Sequence, residues 1–260
     1  MSTAGEASRD LFNLFSAQYD LVPWNQHLTA QIRTALQNRK DWIGIPDNSL
    51  GNVKLLDYAC GTGAITKALG PYVGSIKGID VSDQMVERYN EAARASGLSP
   101  EQAHAVIGNL LAEDGIRDGL VTPEYSDFDI AAVGLGFHHF DSPSLALRRL
   151  TERLRPGSGV LLIIDFLPPK ENASTAGHHH EHHGASSQHH HGAHKHEAHA
   201  HSVTSTGFTE ADMQRLYEEA GAGADFGYEV LDEPAVLGEG DGARQRQLFI
   251  AKGKRASAKL

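Results

Sequence analysis

A single cysteine, Cys60, stands in 260 residues. It leaves no partner for an intramolecular disulfide and fits a reducing compartment. Positive charge is scarce: 23 Lys and Arg stand against 33 Asp and Glu, giving a net charge of −10. Binding nucleic acid through its phosphates needs a basic stripe, so that class of partner is not expected. No apolar run approaches the roughly 20 residues of a membrane span. Residues 1–9 hold neither the apolar core of a secretory signal nor the arginines of a mitochondrial one. With 40% hydrophobic residues the chain can nonetheless bury a full core.

The most informative stretch is Val53 to Thr66, which reads as a buried strand, a glycine turn and the start of a helix. Gly61 and Gly63 let backbone come close to a ligand where a Cβ would collide. The following helix aims its N–H groups and positive end into the same space. Such a turn suits a nucleotide-like cofactor at the carboxyl edge of a parallel sheet. The dinucleotide fingerprint asks for a third glycine, and Thr66 stands there instead. Asp57 precedes the turn. Asp80 follows it at the end of a second strand candidate, Ser75 to Val81, where a carboxylate can accept both hydroxyl protons of a ribose.

Asp57, the turn and Asp80 together resemble motif I and the next acidic motif of the class I S-adenosylmethionine (SAM) methyltransferases. Further along, Asn109-Leu110 follows the third strand candidate, Ala103 to Ile107. A fourth strand from Phe128 runs into Phe137-His138-His139-Phe140, and Leu154-Arg-Pro-Gly157 precedes the apolar run at Val160. These, with Tyr19-Asp20 near the start, resemble the ubiquinone/menaquinone C-methyltransferase-like branch. The resemblance implies an α/β fold: a Rossmann-like seven-stranded sheet, mostly parallel with a terminal antiparallel strand, helices on both faces. It implies S-adenosyl-L-methionine as cofactor, held by Asp57, Ala59, Gly61, Thr62, Gly63, Asp80, Val81, Met85, Asn109, Leu110, Gly134 and Tyr19.

Each motif also has a bland reading. Asp80 could cap the next helix, Thr62 could cap its own, and Cys60 reads as a small packing residue. Tyr19, with Phe12, Phe15 and Trp24, lies on a segment that could cover the site or simply dock as an amphipathic helix. His138 and His139 sit where the cofactor's methyl group is expected. A His near its ordinary pKa suits proton removal from a hydroxyl or acidic carbon. Packing against backbone is the alternative for either ring.

Residues 1–45 are expected to form an N-terminal tail and lid helices, with 1–10 a loose tail and Asn25 to Lys40 a helix on the Leu28, Ile32, Leu36 stripe. Residues 46–168 form the cofactor-binding core. Residues 169–206 read as a His-rich flexible insertion: 12 of 16 histidines lie between His178 and His201. His194, His196, His199 and His201 suit weak metal binding, but the tract offers no apolar scaffold to fix a site. Residues 207–253 carry a capped helix from Thr209 and two strands, Tyr228 to Leu237 and Arg244 to Lys252, joined at Gly238 to Gly242. Residues 254–260 are a basic tail ending Ala258-Lys259-Leu260, similar to a peroxisomal import signal. An import receptor is therefore an expected partner, with peroxisome and cytoplasm the two candidate locations.

The expected activity is methyl transfer to a small-molecule acceptor reaching the site between Tyr19 and the region after Phe166. No Asn-Pro-Pro-Tyr-type motif points to a nucleic-acid substrate. Two rivals remain at this stage: a nicotinamide-dependent oxidoreductase, and a non-catalytic or sensing scaffold whose His tract handles metal.

Overall fold

The computed structural model describes residues 3–46, 52–112, 118–169 and 204–257. The histidine tract and the Ala258-Lys259-Leu260 ending lie outside these residues.

The element that organises the fold is a seven-stranded sheet. Its strands are β1 (Lys54–Tyr58), β2 (Ser75–Asp80), β3 (Ala103–Ile107), β4 (Ile130–Gly134), β5 (Val160–Phe166), β6 (Ala224–Val230) and β9 (Leu248–Lys254). Their spatial order is β3-β2-β1-β4-β5-β9-β6. The first five run parallel, while β9 lies antiparallel to both β5 and β6. This is the expected class I methyltransferase sheet. All seven residues of β5 are buried, as a parallel strand covered on both faces requires.

Alternation along the strands divides the core in two. Leu55, Ile76, Ile130, Leu162, Ile164 and Ile250 pack in one cluster with α2 (Pro23–Gln37), α3 (Lys40–Ile43), α4 (Ala64–Leu69) and α5 (Asp83–Ala95). Leu56, Ile79, Val133, Leu161, Ile163 and Phe249 face α6 (Pro143–Arg153) and α7 (Glu210–Glu219). The stripe Leu28, Ile32, Leu36 is the buried face of α2, which starts at Pro23 because proline suits the first helical position. Ser82 caps α5 by accepting from Met85 N at 3.0 Å. Thr209 and Asp212 close a reciprocal capping box on α7.

Two expectations need correction. Residues 3–10 are not a loose tail: they begin α1 (Thr3–Tyr19). This stretch has almost no large apolar residues, so no stripe shows. Instead polar contacts and Leu11 dock the helix: Asn13 Nδ2 donates to Asp83 at 2.8 Å, Ser82 Oγ to Asn13 at 2.5 Å, and Ser16 Oγ to Gln84 at 2.7 Å. The C-terminal strand pair is also subdivided. β6 ends at Val230, the chain bends at Asp232 and Glu233 before Pro234, which cannot donate to a ladder, and a short β7 (Ala235–Leu237) follows. β7 pairs with β8 (Arg244–Arg246) as a separate two-stranded sheet. Gln247 then marks the crossing into β9, its carbonyl accepting from Leu167 N at 2.9 Å.

Candidate active site

The turn after β1 is built from unusual backbone. Ala59 has φ 53°, Gly61 50° and Gly63 89°, all left-handed. Just past the neighbouring strand β4, Leu135 has φ 59°. Left-handed alanine and leucine are costly and cluster where a site imposes them. The two turns also press together: a Cβ on Gly136 would come within 2.9 Å of the Ala59 Cβ. A Cβ on Gly61 would meet nothing within 4 Å, because that side faces a cleft.

The cleft lies over the carboxyl ends of β1, β2 and β4, under α1. Asp80 lines it and is fixed at both oxygens: Gly61 N donates to Oδ2 at 2.8 Å and Ser82 N to Oδ1 at 2.9 Å. Burial pushes its carboxyl above the usual range, against the lowering effect of those N–H groups. Asn109 also lines the cleft. Its Oδ1 accepts from Leu111 N at 2.8 Å and from the Tyr58 hydroxyl at 3.3 Å. Of the residues expected at the cofactor, Tyr19, Ala59, Gly61, Thr62, Asp80, Val81, Met85, Asn109 and Gly134 line this cleft, as does His139.

Four expected residues do not. Asp57 turns under the turn, its Oδ2 accepting from Thr66 N at 3.2 Å and Thr66 Oγ1 at 2.7 Å. Burial pushes its pKa up to about 7. Gly63 begins α4 and faces a second crevice beside Lys67 and Tyr89. Leu110 is core, its N–H reaching the Tyr58 hydroxyl at 3.2 Å. His138 points inward, its Nδ1 lying 2.8 Å from Asp165 Oδ1. Thr62 does not cap α4; its hydroxyl donates to Asp20 Oδ1 at 2.8 Å. Cys60 is buried at the cleft wall, and burial pushes its thiol up, away from thiolate reactivity.

Several cleft residues were not expected. Ser8 and Thr29 line it, and Phe140, Asp141 and Leu145 close its far side. Ser8 and Phe12 share a helix face at a spacing of four, a signal that becomes visible only once residues 3–10 are read as helix. The Phe12 ring lies edge-on to His139 at 5.4 Å and 6.4 Å from Tyr19. Among the described residues no group of three or more His, Cys, Asp or Glu is placed to hold a metal ion, and no helix is long and apolar enough to cross a membrane.

Comparison with known proteins gives this architecture its class. A family described as Methyltransferase domain matches residues 56–163. An uncharacterised methyltransferase of Schizosaccharomyces pombe is 36% identical over 115 residues, 44% of this chain and 39% of that protein. A demethylmenaquinone methyltransferase of Bacillus cytotoxicus is 30% identical over 162 residues, 61% of this chain and 62% of that protein. The chain thus spans less than two thirds of the length of these relatives. Among solved structures, magnesium protoporphyrin IX methyltransferase from Synechocystis PCC 6803 with bound SAM superposes with TM-score 0.56 at 12% identity, covering 98% of this chain and 99% of that one. The YcgJ protein of Bacillus subtilis gives TM-score 0.58 at 14% identity, over 87% and 99%. At such identities the likeness concerns the fold.

Proposed function

We propose that this protein is a SAM-dependent methyltransferase acting on a small-molecule acceptor. The observation that carries the reading is Asp80: a buried carboxylate at the end of β2, clamped by the N–H groups of Gly61 and Ser82, beside a glycine turn that opens onto the same cleft. The residues present fit an adenosyl ligand. Asp80 can accept from ribose hydroxyls, Gly61 allows close backbone approach, and Met85, Val81 and Leu111 supply apolar wall. The match to the methyltransferase family and the relatives' names support the same reading. The Bacillus cytotoxicus relative is named for a small molecule, demethylmenaquinone, which favours an acceptor of that kind here.

The cofactor, when bound, supplies an electrophilic methyl group on a sulfonium with a neutral thioether as leaving group. The chain then has three tasks. The turn and Asp80 orient the adenosine; α1 covers the cleft and excludes water; and the cleft wall holds the acceptor in line. His139, on that wall between Phe12 and His138, is the candidate to accept a proton from the acceptor.

Calorimetric titration with S-adenosylhomocysteine tests this reading. Wild type should bind, and Asp80→Ala should lose roughly 1.5 to 3 kcal/mol, as for hydrogen bonds to a charged group. A folded wild type that binds neither S-adenosylhomocysteine nor SAM would sink it.

A further inference from the structure

Asp165 is the most deeply buried charge near the cleft, and methyl transfer as described gives it no role. It is wholly buried, next to last in β5, among apolar neighbours. A carboxylate there is costly unless its oxygens are satisfied, and they are. Oδ2 accepts from His138 N at 3.1 Å, and Oδ1 lies 2.8 Å from His138 Nδ1 and 2.7 Å from Phe166 N. Burial alone would raise its pKa; the His138 ring and these hydrogen bonds outweigh that and hold the carboxyl below the usual range. The Arg246 guanidinium, over the Phe166 ring, faces the pair from β8.

Asp165 therefore grips His138 at two points, ring and backbone. The His138 carbonyl is held as well, accepting from Thr204 N at 3.0 Å and Ser205 N at 3.1 Å. A ring so fixed is a platform. Against it lies His139, with ring centroids 4.1 Å apart and planes inclined by 38°. Phe12 confines His139 from the α1 side.

We propose that Asp165, acting through His138, is a positioning residue that sets the ring plane of His139 for proton acceptance in the cleft. This rests on the methyltransferase reading. In the step it serves, the acceptor's proton passes to a His139 ring nitrogen and the freed electron pair forms the bond to the methyl carbon. The carbon–sulfur bond breaks with its pair on sulfur. Asp165 neither gains nor loses a proton: its work is orientation, the role a carboxylate plays behind a histidine when it fixes tautomer and direction.

The test is histidine-ring NMR on the full chain with S-adenosylhomocysteine added, comparing wild type with Asp165→Asn and His138→Gln. Wild type should show a downfield His138 Nδ1 proton and cross-relaxation between the rings of His139 and Phe12. Both variants should keep the backbone amide spectrum of the sheet and bind S-adenosylhomocysteine within 2-fold of wild type, yet lose the His139–Phe12 contact. Asp165→Glu should recover part of the His139–Phe12 contact. An absent downfield proton in wild type overturns the proposal, and so does an unchanged His139 ring in either folded variant. Should Asp165→Asn not fold, His138→Gln decides alone, because it leaves the carboxylate in place. Failure of wild type to bind S-adenosylhomocysteine would instead count against the methyltransferase reading, and the ring contacts read separately from it.

Discussion

At the scale of single residues, the carboxylates divide by what surrounds them. Asp80 faces the cleft with both oxygens held by N–H groups. Asp57 is buried with Oδ1 lacking a hydrogen-bond partner among the described residues. Its pKa, pushed up to about 7, lies above that of the unfolded chain. Folding therefore favours the protonated form. The stability this contributes is fully present below about pH 4 and is lost as pH rises towards 7. Asp57→Asn removes the ionisation and keeps an acceptor for Thr66. We expect its melting temperature to exceed that of wild type at pH 8 by several degrees and the gap to close at pH 5, as scanning calorimetry of the ligand-free protein would show. An equal difference at both pH values would mean that Asp57 carries no such cost. The turn and Asp80 were legible because their chemistry is local: glycine where backbone must approach, a carboxylate at a strand end. Asp165 was not. It sits in the apolar run Val160 to Phe166 and its partner His138 is 27 positions away. The available signal was the carboxylate itself, out of place in a strand buried on both faces.

At the scale of elements, helices with an apolar stripe or a sequence-encoded cap were readable within two or three residues: α2, α5 and α7. α1 was not readable over its first two turns, which hold no large apolar residue; side-chain hydrogen bonds from Asn13 and Ser16, further along, tie the helix to α5. Those bonds form a clasp. Asn13 and Ser16 grip the start of α5, and Asp20, just beyond the helix, accepts from Thr62 Oγ1 and pairs with Lys67 Nζ at 3.4 Å. Thr62 belongs to the glycine turn, so the covering helix and the expected cofactor loop share a hydrogen bond. Asp20→Ala should free that end of the cover with little effect on the core. Partly exposed contacts of this kind contribute about 1 kcal/mol. We expect amide hydrogen exchange in α1 to quicken several-fold and S-adenosylhomocysteine to dissociate faster, with the melting temperature lowered by no more than about 4 °C. Unchanged exchange in α1 would show that Asn13, Ser16 and Leu11 hold the helix without it.

For the whole molecule, the question is how a seven-stranded sheet accommodates 34 residues rich in histidine between β5 and α7. The two ends of that tract meet. Phe208 N donates to the Phe166 carbonyl at 3.0 Å, and the Arg246 guanidinium donates to the carbonyls of Leu167, at 2.9 Å, and Thr206. Gly207 fits so closely that a Cβ there would lie 2.4 Å from the Leu167 carbonyl carbon. Strand β5 and helix α7 are thus tied at the sheet edge by β8, independently of what runs between residues 169 and 204. Closing a shorter connection between joined ends changes the free energy only slowly with length. Excising residues 173–203 should leave the melting temperature within about 3 °C of wild type and S-adenosylhomocysteine affinity within 2-fold. Nickel or zinc binding, measured by calorimetry on both forms, should drop sharply, since twelve imidazoles leave with the tract. A shortened protein that folds but no longer binds S-adenosylhomocysteine would make the tract part of the cleft. One that retains full metal affinity would move the metal ligands to the four remaining histidines or the carboxylates of the domain itself.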